Sequence, residues 1–89
     1  MFTESLNKMM DVLFMIFHEN KKEKIRFFEF DGKHVFVQKC SDTELFITYE
    51  GTITKSFKVD FSNFNLKNYG EFREFAFAII RKLAEISNQ

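Results

Sequence analysis

The sequence predicts an α+β fold: a two-layer domain in which a four-stranded antiparallel meander lies between an N-terminal and a C-terminal helix, in the order α-β-β-β-β-α. Three observations predict it. Apolar residues recur at three- and four-residue spacing near both ends of the chain and alternate with polar ones in the middle. Asp31-Gly32 and Gly51 fall where the alternating stretches should turn. With no proline and only three glycines, regular elements should occupy most of the 89 residues, which form one domain over 1–89.

The first helix is expected over residues 3–19, with Thr3 as its N-cap and Leu6, Met9, Met10, Leu13, Ile16 and Phe17 as its stripe. Every position from Val12 to Phe17 is apolar, so this helix should be covered on more than one side. "HENKKEK", residues 18–24, reads as a solvated connector rather than a phosphate-binding patch. Strands follow at about 24–30, 33–40, 44–49 and 53–60.

The Asp31-Gly32 turn sets Phe28 opposite Val35 and Phe27 opposite Phe36. A short loop at Ser41-Asp42 would pair Lys39 with Glu44 and Lys33 with Glu50, both opposite in charge. At the third turn, three residues with Gly51 left-handed keep Ile53, Phe57 and Val59 on the face of Leu45, Ile47 and Tyr49. The last helix opens with Asn68 and Glu71 as a capping box. It buries Phe72, Phe75, Ala76, Ile79, Leu83 and Ile86, while Arg73, Glu74, Arg81, Lys82 and Glu85 face outward. Phe64 and Leu66 in the connector before it should tuck under the sheet edge.

These registers give the sheet two apolar faces. One holds Ile25, Phe27, Phe36, Leu45, Ile47, Tyr49, Ile53, Phe57 and Val59, and is expected to carry both helices. The other holds Phe28, Phe30, Val35, Val37 and Phe46 among Arg26, Lys33 and Lys39. Such a patch exceeds what a monomer leaves bare, so it should meet a second copy or another protein, with Met10 and Phe14 of the first helix joining the interface. The alternative is a three-layer monomer in which that helix crosses to the second face. Fourteen phenylalanines, each able to bury about 150–250 Å², are more than one small core needs and favour external burial.

Little in the sequence points to chemistry. His34 faces Glu29, where a polar pair closing the end of the core is the simpler reading than a base oriented by a carboxylate. Cys40 lies too far along the strand from His34 for a nucleophile–base dyad and reads as a small filler beside a turn. One cysteine and two scattered histidines do not approach a zinc spacing, and Asp31, Asp42 and Asp60 have turn roles. No enzyme activity and no cofactor are expected. Thirteen basic and thirteen acidic residues balance, which disfavours a general nucleic-acid or membrane-surface binder. A sheet bearing Phe28 and Phe30 beside Arg26, Lys33 and Lys39 still leaves single-stranded nucleic acid as a second reading.

The expectation is therefore a cytoplasmic, non-enzymatic protein-interaction module: a homodimeric adaptor, regulator or inhibitor. Small proteins of phages and other mobile elements share this size and composition.

Overall fold

The computed structural model describes residues 3–18 and 25–88. Helix α1 spans Thr3–His18; strands β1 (Ile25–Phe30), β2 (Lys33–Lys39), β3 (Glu44–Glu50) and β4 (Thr54–Asp60) follow, and α2 spans Tyr69–Ser87. The strands pair antiparallel in the order β1-β2-β3-β4, the expected meander. Residues 19–24, which hold most of the expected connector and the start of the first strand, lie outside the described residues.

Both helices bury their stripes in one cluster with a single sheet face, so the domain has two layers. From α1 come Leu6, Met9, Val12, Leu13 and Ile16, and from α2 Phe75, Ala76, Ile79, Ile80 and Leu83. Phe64 and Leu66 pack against this cluster, as expected, with the Phe64 ring 5.1 Å from that of Phe75. Asn68 accepts a hydrogen bond from the Glu71 N–H at 3.1 Å and thus caps α2. The Glu71 carboxylate departs from the usual box: it accepts from the N–H of Asn65 instead.

The sides of β3 and β4 turned to the helices are the expected ones, but those of β1 and β2 are exchanged. The first hairpin pairs as foreseen, Phe28 with Val35 and Phe27 with Phe36, and Asp31 and Gly32 both have positive φ, 52° and 75°. The second connection slips by one residue. Lys39 faces Leu45 and His34 faces Glu50, in place of Lys39–Glu44 and Lys33–Glu50. The cause is a bulge, because the N–H groups of Cys40 and Ser41 both donate to the Glu44 carbonyl, setting two residues against one.

One residue of slip exchanges the faces. Phe28, Phe30, Val35 and Val37 join Leu45, Ile47 and Tyr49 in the core, while Phe57 and Val59 pack partly buried at its margin. Ile25, Phe27 and Phe36 go to the outer side with Phe46.

The third turn has the expected three residues and keeps Phe57 and Val59 on the core face, but its chemistry differs. Gly51 does not have positive φ. A Cβ there would sit 2.5 Å from Cε1 of Tyr49, so glycine is required by the close approach of that buried ring. Ile53 lies in the loop, exposed.

Candidate functional site

The outer sheet face is the principal candidate. Alternation places Ile25, Phe27 and Glu29 of β1 on it, His34, Phe36 and Gln38 of β2, Glu44, Phe46, Thr48 and Glu50 of β3, and Thr54, Ser56, Lys58 and Asp60 of β4. Phe27 is 62% exposed and Ile25 54%; Phe36 and Phe46 are half-buried. Phe27, His34 and Phe36 form a ring cluster with centroids 5.8 to 6.3 Å apart. Ile25 faces Gln38, which faces Phe46, and Phe27 faces Phe36, which faces Thr48, so the four apolar side chains of β1 to β3 share this strip with Gln38 and Thr48. β4 closes it with Ser56, bonded to Thr48 at 3.1 Å, and with Lys58.

Carboxylates bracket this strip. Glu29 and Glu50 lie at one end of the strands in register with His34, and Glu44 and Asp60 face each other at the other end. Like charges directly opposite are unfavourable. Asp60 is steadied by Ser62, whose hydroxyl and N–H donate to its Oδ1 at 2.5 and 2.7 Å and hold its carboxyl below the usual carboxylate range. Glu29 lies 3.8 Å from Nε2 of His34, with both side chains more than half exposed. The pair therefore stands on the open face and does not close the core. With Glu29, Glu44, Glu50 and Asp60 against Lys58, this face holds a local acidic excess within a chain that is neutral as a whole.

Of the residues expected at the interface, Phe46 alone among the sheet aromatics and valines is on the open face. Phe28, Phe30, Val35 and Val37 are core side chains, 6% exposed or less. Arg26, Lys33 and Lys39 have the parity of the core face and do not stand among the outer aromatics. The pattern that reveals the true strip, Ile25-x-Phe27 followed by Phe36 and Phe46, is visible in the sequence once the bulge is placed.

Met10 and Phe14 sit on the helical layer, away from this face. They line a groove of about 790 Å³ with Phe17, Leu66, Tyr69 and Phe72, whose polar members are Asp11, His18 and Lys67. Phe14 is 57% exposed, its ring 4.1 Å from that of His18, so the apolar segment of α1 is covered on the sheet side and open on the other. Cys40 is exposed beside its turn, its Sγ donating to the Glu44 carbonyl at 3.4 Å. Among the described residues no group of three or more His, Cys, Asp or Glu is placed to hold a metal ion, and no helix is long and apolar enough to cross a membrane.

No family model matches the chain, and no curated protein or solved structure matches it.

Proposed function

We propose that this chain is a protein-interaction module, an adaptor, regulator or inhibitor without chemistry of its own, that docks through the outer face of its sheet. The observation that carries this reading is the exposed Ile25–Phe27 pair, with Phe36 beside Phe27 and Phe46 on the same side, on a face that no described helix covers. Apolar strips of this kind on a small domain mark interaction sites. They also give the phenylalanine surplus a purpose.

The face suits protein better than nucleic acid. Base stacking on a sheet is ordinarily accompanied by lysine and arginine that neutralise phosphate, whereas here the aromatics stand between four carboxylates and one lysine. A homodimer through this face is a poorer fit than a different protein. A two-fold axis running along the strands lays the Glu29–Glu50 row on its own equivalent, and one running across them lays it on the Glu44–Asp60 row.

Affinity capture with the wild-type chain and Phe27→Asp in parallel tests the reading. At least one nuclease-resistant protein partner should be held by the wild type alone, and light-scattering mass should show a monomer at low and high salt. Identical capture by both chains, or capture that nuclease abolishes, would overturn it.

A further inference from the structure

From the charge and shape of the outer face, we infer that its occupant is a cationic amphipathic helix: an apolar stripe with lysine or arginine at both ends. This rests on the docking reading above and names the partner's chemistry. The strip from β1 to β3 is about 10 Å across at the usual strand spacing, which matches the 10–12 Å diameter of one helix. It does not match the breadth of a second sheet.

Along β3, Glu44 and Glu50 are six residues apart, roughly 20 Å. A helix covers that distance in about 13 residues. Its basic ends would then meet Glu29 and Glu50 on one side and Glu44 and Asp60 on the other. Glu44 and Asp60, opposed in register, would both face the cation at that end.

Among the described residues, a second copy supplies no such helix. The open side of α1 carries Glu4, Lys8 and Asp11 around Phe14. That of α2 offers Arg73, Phe77 and Arg81, but its two arginines are only about 12 Å apart along the axis. Docking it on the sheet of a neighbour would also be head-to-tail, building a ring or an open chain rather than a two-fold dimer.

The test uses two fluorescent 18-residue peptides with the same leucine–alanine stripe, one with lysines in its first and last turns and one with glutamates there. Anisotropy titrations with the full chain should show the lysine peptide binding at least tenfold more tightly than the glutamate peptide. Raising salt from 50 to 300 mM should weaken the lysine peptide several-fold. Phe27→Asp, and separately the double variant Glu44→Gln with Glu50→Gln, should each weaken it fivefold or more, while Asp11→Asn leaves it unchanged. Ile25→Ser serves in place of Phe27→Asp if circular dichroism finds that chain unfolded.

Equal affinity for both peptides, no binding of the lysine peptide, or binding indifferent to both outer-face variants would overturn the inference. If the peptides behave alike while Phe27→Asp still loses its captured protein, the docking face stands and the cationic helix falls. If Phe27→Asp changes neither, both fall.

Discussion

Two glycines show how a residue can be required for different physical reasons. At Gly32 the backbone has φ of 75° and a Cβ would meet nothing within 4 Å, so Gly32→Ala should cost only the left-handed conformation, about 1–2 kcal/mol. At Gly51 the backbone is ordinary and the obstacle is the Tyr49 ring, so Gly51→Ala should cost about 1–3 kcal/mol through overpacking. Urea unfolding in a Tyr49→Val background separates them. The Gly51→Ala penalty should largely vanish there, and the Gly32→Ala penalty should persist.

Asp60 offers a second residue-scale check. Its lowered pKa means the folded state holds the carboxylate more readily than the unfolded chain does. The resulting stabilisation is present above the unfolded pKa and is lost as pH falls through the folded one. Ser62→Ala should raise the Asp60 titration midpoint followed by NMR; an unmoved midpoint would show that the Ser62 hydroxyl is not its cause.

At the scale of elements, the order and approximate bounds of all six were legible, because the periodicities of helix and strand are local signals. So were the first hairpin, whose Asp-Gly turn fixes its own register, and the α2 stripe. The β2–β3 register was not legible from charge pairing. Lys39–Glu44 and Lys33–Glu50 suggested one alignment, but exposed ion pairs contribute little. Burying Phe28, Phe30, Val35 and Val37 beside Leu45, Ile47 and Tyr49 contributes on the order of 2 kcal/mol per side chain.

The bulge at Cys40 and Ser41 delivers that burial, and it has no signature as sharp as a glycine. The candidate site moved with it, from Phe28 and its neighbours to Ile25, Phe27 and Phe36. Stability separates the two alignments: Phe28→Ala should cost about 3–5 kcal/mol and Phe27→Ala less than about 1 kcal/mol in urea unfolding. The reverse ranking would restore the face expected from charge pairing.

For the molecule as a whole, the two layers divide the labour. The helical layer and the inner sheet face supply the core, and the outer face carries an apolar strip with acidic ends. Net neutrality conceals this division, since a composition count cannot say where charge is placed. A single-stranded 20-mer oligonucleotide should therefore fail to bind at 100 mM salt in an anisotropy titration. Binding that falls steeply with further salt would instead favour the nucleic-acid reading.

The core is closed by helices drawn from opposite ends of the chain, with α1 packed on α2. During synthesis, Leu6, Met9 and Leu13 precede Leu83 of the same core cluster by about 70 residues, roughly 4–14 s at ordinary elongation rates. For that interval the nascent meander can zip up turn by turn, but its greasy side has only half a lid. Until α2 has emerged, the apolar side of the nascent meander therefore stays half uncovered.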